Sequence, residues 1–139
     1  AKLVVVDPYR NATAQQADYH LMVKPGTDGA LACAVMHVLF AEGYADRDYL
    51  ANYADCPEEL EAHLQTRTPE WAAAITGLTT TEIVEFARLY GETKVFFLYL
   101  ECFSCFSCCF LIKKILLCYF LNRNCLCIQA LPTLCFFLI

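Results

Sequence analysis

The sequence predicts an α/β fold, namely a fragment of a parallel-sheet domain followed by helices. The run "KLVVVDP" is β-branched and ends at Asp-Pro, which is typical of a strand buried on both faces. A second apolar run, "YHLMVKP", ends at Pro25 and leads through a short turn into an apolar helix. Strand, short crossover, strand, turn and helix follow one another as in an α/β layer.

Local end signals predict the first helices. The link "ATAQQA" between the strands is short and compatible with helix. The helix after the turn is predicted over Gly29 to Glu42, because this segment is apolar on most of its circumference and is followed by Gly43, a C-cap glycine. The segments "DRDYLANYA" and "PEELEAHLQ" are also predicted to be helices, the second with Pro57 at its first position.

Two further helices have signals at both ends. In "TPEWAAAITG", Thr68 is the predicted N-cap and Gly77 the stop. In "TTTEIVEFARLYG", Thr79 and Glu82 form a predicted capping box, and Gly91 is the predicted terminator. The second helix has an apolar stripe at helical spacing, which consists of Ile83, Phe86, Ala87 and Tyr90.

Charge is distributed unevenly along the 139 residues, whose formal net charge is −5. Residues 1–94 carry seven basic and fourteen acidic side chains, whereas residues 95–139 carry three basic and one acidic. No Lys/Arg cluster is present, which argues against a nucleic-acid partner. We therefore divide the chain into an α/β part at 1–94 and an apolar, Cys-rich tail of uncertain structure at 95–139.

Cysteine follows the same division, because eight of the ten cysteines lie in the tail among Phe, Leu and Ile. A secreted disulfide scaffold would place them in polar, turn-rich sequence, so no disulfide framework is predicted. The N-terminus shows no signal-peptide pattern and begins abruptly as a strand, and we expect the chain to start in mid-domain.

Two acids are candidate ligand contacts. Asp7 directly follows the first strand, and Asp28 follows the Pro-Gly-Thr turn after the second. Nucleotides bind at the carboxyl edge of such sheets, where a carboxylate can accept ribose hydroxyls or take the N1–H and N2–H₂ groups of guanine together. However, Asp-Pro also starts turns, and Thr27 or Asp28 could simply cap the helix, so both interpretations stay open.

The stretch "KLVVVDPYRNATAQQADYHLMVKPGTDGALACAVMHVLFAEGYADRDYL", followed by "TPEWAAAITGLTTTEIVEFARLYG", resembles the molybdopterin oxidoreductase family of the dimethyl-sulfoxide-reductase and formate-dehydrogenase type. An Asp-Pro strand end, Pro-Gly-Thr-Asp-x-Ala-Leu and a later Pro-Glu-Trp are more specific together than alone. The resemblance covers residues 1–94. It implies a partial, dinucleotide-binding-like α/β domain that holds the guanosine end of one of two molybdopterin guanine dinucleotides.

The resemblance also implies which residues bind the cofactor. Asp7 would meet the ribose and Asp28 the guanine edge, with the intervening turn shaped against the nucleotide by Pro25, Gly26 and Thr27. Contacts to a phosphate or sugar would come from the loop after the first strand, where Tyr9 separates Asp-Pro from the Arg that commonly follows it directly in the family. The candidates in that loop are Arg10, Asn11 and Thr13.

By the same resemblance, the parent would be a molybdenum-dependent oxidoreductase, and its compartment, cytoplasm or periplasm, stays open. The partners of the chain are the remainder of that enzyme and electron-transfer subunits. The molybdenum ligand and any iron-sulfur cysteines lie upstream in the family, so we predict no catalytic residue and no metal ligand here and expect the chain to be inactive alone. Cys33 and His37 are expected to be core residues.

Three interpretations of the tail compete. Cys102, Cys105 and Cys108 form a C-x-x-C-x-x-C run, but Ile112 stands where a ferredoxin-type cluster needs its next cysteine. The apolar run Val95 to Ile112 just reaches membrane-spanning length. We favour an out-of-frame or foreign translation, because Phe, Leu, Ile, Cys and Ser share thymine-rich codons. Such a tail is expected to aggregate.

Two alternatives to an enzyme fragment also stay open. The first is a non-catalytic purine-nucleotide-binding module that uses the edge formed by Asp7 and Asp28 without molybdenum. The second is a membrane-tethered interaction protein built around residues 95–139. Loss of guanosine binding on substitution of Asp28 would favour the enzyme fragment or the module over the tethered protein.

Overall fold

The computed structural model describes residues 2–93 in full and the backbone of two further short strands, at 97–99 and 136–138. Within these residues, two strands precede five helices and two strands follow them. The strands are β1 Leu3–Val6, β2 Tyr19–Leu21, β3 Phe97–Tyr99 and β4 Phe136–Leu138. The helices are α1 Asp28–Ala41, α2 Arg47–Tyr53, α3 Pro57–Leu64, α4 Pro69–Thr76 and α5 Thr80–Glu92.

The described strands form one sheet in the order β2-β1-β4-β3. β1 and β2 are parallel, with Val4 opposite Tyr19 and Val6 opposite Leu21, as predicted. β4 runs antiparallel to both β1 and β3. The prediction of a parallel sheet is therefore confirmed for β1 and β2 only, because the described sheet as a whole is mixed.

β1 lies at the centre of the core. Val4 and Val5 are fully buried, and because neighbouring residues of a strand point to opposite faces, both faces of β1 are covered, as predicted. The β-branched side chains favour this extended conformation. The core is completed by apolar side chains from β2, α1, α4 and α5. It includes the predicted stripe of α5, which consists of Ile83, Phe86, Ala87 and Tyr90.

The predicted caps of α4 and α5 are present. The Thr68 hydroxyl accepts a hydrogen bond from the Trp71 N–H at 3.3 Å, and α4 ends at Gly77, whose φ of +83° is left-handed. The N–H groups of Thr79 and Glu82 each donate to the other residue's side chain, at 2.8 and 3.2 Å, which completes the capping box. These caps satisfy N–H groups that a helix leaves without partners.

The C-terminus of α1 is a Schellman motif around Gly43, the predicted C-cap glycine. Gly43 has φ +77°, and its N–H donates to the Phe40 carbonyl at 3.3 Å. The Tyr44 N–H donates to the Leu39 carbonyl at 2.9 Å. This geometry directs the chain, and with it the ring of Tyr44, back toward α5.

The prediction that Gly91 ends α5 is wrong, because the helix continues to Glu92. A Cβ at Gly91 would lie 2.5 Å from Cγ of Tyr44. The glycine is therefore required for the close approach of the aromatic ring and not for a left-handed terminus. The Tyr44 hydroxyl then donates to the Glu92 carboxylate at 3.3 Å, which ties the end of α1 to the end of α5.

The segment between the two strands differs from a helix. "ATAQQA" forms turns, in which the Gln15 N–H donates to the Asn11 carbonyl and the Gln16 N–H to the Thr13 carbonyl, both at 3.0 Å. The second strand is also shorter than the apolar run that predicted it, since β2 contains three residues.

The capping box makes the stability of α5 depend on pH. Hydrogen bonds from the Thr79 side chain and backbone hold the pKa of the Glu82 carboxyl below its ordinary value. A lowered pKa means that the contribution is present above about pH 4.3, the ordinary value for Glu, and is lost as the pH falls through the folded value. We expect the Glu82→Gln variant to melt below the wild type at pH 7, and we expect the difference to shrink as the pH falls below the ordinary value for Glu. Thermal melts followed by circular dichroism across this pH range test this, and a difference that stays constant or grows as the pH falls would contradict it.

No helix in the described part of the chain is long and apolar enough to cross a membrane. Two predictions for the tail, the C-x-x-C-x-x-C run from Cys102 and a membrane span over Val95 to Ile112, fall on residues outside the structural description apart from the backbone of β3.

Candidate functional site

The carboxyl ends of β1 and β2 lie at one edge of the sheet because the two strands are parallel. The Asp7 N–H donates to the Leu21 carbonyl at 3.2 Å, so the pairing extends one residue beyond β1. The loop that begins at Asp7 and the segment that leads from β2 to α1 therefore leave from the same edge. Ligands of parallel α/β sheets bind at edges of this kind.

The Asp7 carboxylate organises the loop after β1. Its Oδ1 accepts from the Tyr9 N–H at 2.6 Å, and its Oδ2 accepts from the side-chain amide of Asn11 at 3.1 Å. The Asn11 Oδ1 accepts in turn from the N–H groups of Thr13 and Ala14, at 3.0 and 2.8 Å. A carboxylate has about four acceptor positions, so Asp7 can still accept hydrogen bonds from a ligand.

His20 supports the same loop from β2. Its Nε2 lies 3.0 Å from the Asp7 carbonyl oxygen. Because a carbonyl oxygen can only accept, Nε2 carries the hydrogen. The sequence offered no partner for this histidine, since the two residues are thirteen positions apart and only the strand pairing brings them together.

The segment after β2 forms a tight turn. The Thr27 N–H donates to the Lys24 carbonyl at 3.2 Å, with Pro25 second and Gly26 third in the turn. Gly26 has φ +79°, which together with the preceding Pro is typical of a type II turn. No atom lies within 4 Å of a Cβ built on Gly26, so the backbone conformation, and not packing, requires glycine there.

Neither Asp28 nor Thr27 caps α1 through its side chain. Thr27 is at the N-cap position, but its side chain accepts no N–H, and its hydroxyl donates to the Lys24 carbonyl at 2.6 Å. Asp28 is the first helical residue and is exposed. Within residues 2–93, its carboxylate makes no hydrogen bond or ion pair. The capping interpretation is therefore wrong, and the carboxylate of Asp28 is available to a ligand.

The turn is attached to the helical part of the fold. The Lys24 N–H donates to the Thr76 carbonyl at 2.9 Å, and a Cβ on Gly77 would lie 3.2 Å from Cε of Lys24. Thr76 is fully buried, and its hydroxyl donates to the Ala72 carbonyl at 2.8 Å and accepts from the Leu78 N–H at 3.2 Å. The junction of α4 and α5 thus holds the start of the turn.

The predicted site residues form two groups at this edge. Asp7 and Thr13 belong to the hydrogen-bonded loop after β1, in which the side chain of Arg10 is exposed. The second group is the turn and the start of α1, namely Pro25, Gly26, Thr27 and Asp28. Among the described residues, no hydrogen bond connects the two groups. The role of Asn11 as the centre of its loop was missed, although an Asp-Pro followed by Asn is a turn signal.

Cys33 and His37 of α1 were predicted to be core residues, but both are only half-buried and neither belongs to the buried apolar core. Burial raises the pKa of the Cys33 thiol, against a smaller opposite effect of Arg67, and its side chain is half-buried. His37 Nδ1 donates to the Leu64 carbonyl at 2.8 Å, as expected for a packed histidine. Among the described residues, no three His, Cys, Asp or Glu side chains lie close enough to hold a metal ion.

A separate open cleft of about 450 Å³ lies between β2 and α5. The wall on the β2 side consists of Tyr19, His20 and Leu21. The wall on the α5 side carries three carboxylates and one guanidinium around an apolar floor. His20 connects the cleft to the site edge, because its side chain also binds the Asp7 carbonyl.

Comparisons with known proteins agree with one another. The family model described as molybdopterin oxidoreductase matches residues 1–123. The probable oxidoreductase YoaE of Bacillus subtilis is 43% identical over 98 residues, or 70% of this chain. The F420-dependent formate dehydrogenase 1 subunit alpha of Methanococcus maripaludis is 42% identical over 91 residues, or 66% of this chain.

A solved structure gives the same result. The acetylene hydratase from Pelobacter acetylenicus superposes with a TM-score of 0.59 and 32% sequence identity, over 63% of this chain and 12% of that protein. The chain spans 14% of the length of each of the two relatives from B. subtilis and M. maripaludis. With the family model matched over most of the sequence, the chain belongs to the molybdopterin oxidoreductase family.

Proposed function

We propose that this chain supplies the guanosine-binding part of a bis-molybdopterin guanine dinucleotide site in a molybdenum-dependent oxidoreductase and is inactive alone. The observation that carries the proposal is the exposed carboxylate of Asp28, which stands without a partner in residues 2–93, after a turn that leaves the same sheet edge as Asp7. Two carboxylates near one edge suit a ligand rich in N–H and O–H donors.

The residues fit a guanosine. The Asp28 carboxylate can accept the N1–H and N2–H₂ groups of guanine, and Asp7 keeps acceptor positions for ribose hydroxyls. Above Gly26 there is open space for the nucleotide, flanked by Pro25 and Thr27 in the turn. The loop after β1 adds the exposed cation of Arg10 and the side-chain hydroxyl of Thr13 for a phosphate or sugar, since the Thr13 N–H already donates to Asn11. The molybdenum of the bound cofactor supplies the electron-transfer chemistry, while these residues bind and orient its guanosine.

The remainder of the parent enzyme would complete the site. Relatives include a formate dehydrogenase subunit alpha and a dimethyl sulfoxide reductase chain, and this chain spans about 14% of each. We infer that substrate, metal ligand and any iron-sulfur cluster belong to that remainder, together with contacts to electron-transfer subunits.

Nucleotide binding tests the proposal directly. We expect GMP to bind the full chain, immobilised at low density to prevent self-association, and AMP to bind at least tenfold more weakly, because adenine lacks the N1–H and N2–H₂ donors. Asp28→Asn should weaken the binding of GMP at least tenfold, which corresponds to about 1.4 kcal/mol of binding free energy. The matched control is Asp48→Asn, since Asp48 is an exposed acid in the first turn of α2 and lies outside the site.

Three outcomes discriminate among the interpretations. Equal loss of GMP binding in the variants of Asp28 and Asp48 would contradict the proposal that Asp28 binds the guanine edge. Equal affinity for GMP and AMP, with the Asp28 variant still defective, would favour the purine-nucleotide module. Molybdenum that copurifies with the chain extended by its flanking gene sequence would favour the enzyme fragment over that module.

The division of the chain at residue 94 stays a prediction, as does the foreign origin of the tail. The family model continues to residue 123, beyond the proposed boundary. Reading the source DNA in all three frames through codons 85 to 139 tests the division. A shifted frame that resumes a Gly-containing loop after about codon 94 would support a foreign tail, and a single intact frame would contradict it.

A further inference from the structure

β2 lies at the end of the strand order, and no described strand lies beyond it. The Leu21 carbonyl accepts from Asp7 and therefore points toward β1. Because successive residues of a strand direct their N–H and C=O groups to opposite sides, those of His20 and Met22 point away from β1. Lys24 lies two residues after Met22, so its N–H should also point away from β1. It donates to the Thr76 carbonyl, which agrees with this assignment.

The cleft beside this edge is predominantly acidic. Its α5 wall presents Glu82, Glu85 and Glu92 against one cation, Arg88. The Arg88 guanidinium already binds the Glu42 carboxylate in a bidentate pair, with its Nη2 2.7 Å from Oε1 of Glu42. The cleft therefore has acceptors for a cation and no free cation of its own among the residues that line it.

The acids of the cleft differ in their existing bonds. Glu82 belongs to the capping box, and Glu92 accepts from the Tyr44 hydroxyl. Glu85 is exposed and, in the described part of the chain, makes no hydrogen bond or ion pair. The floor below it is apolar, with Leu21 buried in β2. An extended segment with alternating basic and apolar side chains would match this arrangement.

We propose that the outer edge of β2 and this cleft receive an extended segment of the remaining polypeptide of the parent enzyme. That segment pairs with the backbone of His20 and Met22 and places a Lys or Arg side chain against Glu85. Strand addition of this kind is a common use of an exposed sheet edge. The occupant is assigned to the parent because this chain spans only about 14% of its relatives and the cleft complements a basic segment. The proposal rests on family membership and not on guanosine binding.

A peptide array tests the proposal. Overlapping 15-residue peptides that cover the whole of the B. subtilis relative are presented to the full 139-residue chain. We expect at least one peptide with a Lys or Arg to bind, and Glu85→Lys to weaken it at least tenfold. The matched control is Glu59→Lys, because Glu59 is an exposed acid of α3 away from the cleft and should change the affinity less than twofold.

Amide hydrogen exchange with residue resolution separates strand pairing from charge attraction alone. The bound peptide should slow exchange at His20 and Met22 and leave Leu21 unchanged, since the Leu21 N–H already faces β1. Three results would overturn the proposal: no peptide binds, the substitutions of Glu85 and Glu59 act alike, or the protected amides lie elsewhere. Occupation of the cleft by the tail of this chain would appear as the first result. The test is independent of GMP affinity, so it can fail or succeed separately from the guanosine assignment.

Discussion

Replacement of Gly91 by alanine is expected to lower the free energy of unfolding by about 1–3 kcal/mol, as overpacking of a filled core does. The direction is opposite to the usual effect, because Gly→Ala inside a helix ordinarily stabilises by about 0.5–1 kcal/mol. The reason is the Tyr44 ring, whose Cγ lies 2.5 Å from the position of the new Cβ. Urea unfolding of the full chain measures the change.

The partner residue provides the control. In a Tyr44→Ala background the obstruction is absent, so Gly91→Ala should become neutral or stabilising. The double-mutant cycle then gives a coupling at least as large as the lost stability. A Gly91→Ala variant that is more stable than the wild type in the presence of Tyr44 would show that the ring moves aside at no cost. The close approach would then not be the reason for the glycine.

Thr76→Val is expected to cost about 1–3 kcal/mol, the penalty for leaving a buried donor without its acceptor. Valine has nearly the same shape as threonine, so packing is preserved. The Leu78 N–H, however, loses the Thr76 hydroxyl, which accepts from it at 3.2 Å in a fully buried position. Urea unfolding measures the stability, and amide exchange at Leu78 reports the lost bond.

Serine at the same position is the matched control, because it keeps the hydroxyl and removes one methyl group. Exchange at Leu78 should be faster in Thr76→Val and unchanged in Thr76→Ser. If both variants accelerate exchange equally, the hydroxyl is not the acceptor that matters.

Local signals in the sequence predicted most of the helical structure. The capping box of Thr79 and Glu82 and the stop at Gly77 involve residues only a few positions apart, so their geometry follows from the sequence itself. Gly91 was wrongly predicted to end α5, because the residue that requires a glycine there is Tyr44. Tyr44 lies 47 positions earlier and reaches Gly91 only after α1 has packed on α5. Contacts between residues so far apart in the sequence cannot be read from the local sequence pattern.

The candidate site shows the same contrast. The type II turn at Gly26 could be predicted, since Pro-Gly is itself a turn signal. The sequence also placed Asp7 and Asp28 after strands, and parallel pairing brings both segments to one edge. That Thr27 uses its hydroxyl within the turn instead of capping α1 could not be predicted, because both uses suit a threonine at that position.

The hydrogen bond from the Lys24 N–H to the Thr76 carbonyl connects the turn at the sheet edge to the end of α4. This hydrogen bond joins two segments of the chain that are 52 positions apart, so the turn is fixed in place by the helical part of the fold. The conformational entropy of the turn is already lost on folding, so a ligand does not have to order it. Thermodynamic linkage also works in reverse, since a ligand held by the turn stabilises the folded state of helices that it never touches.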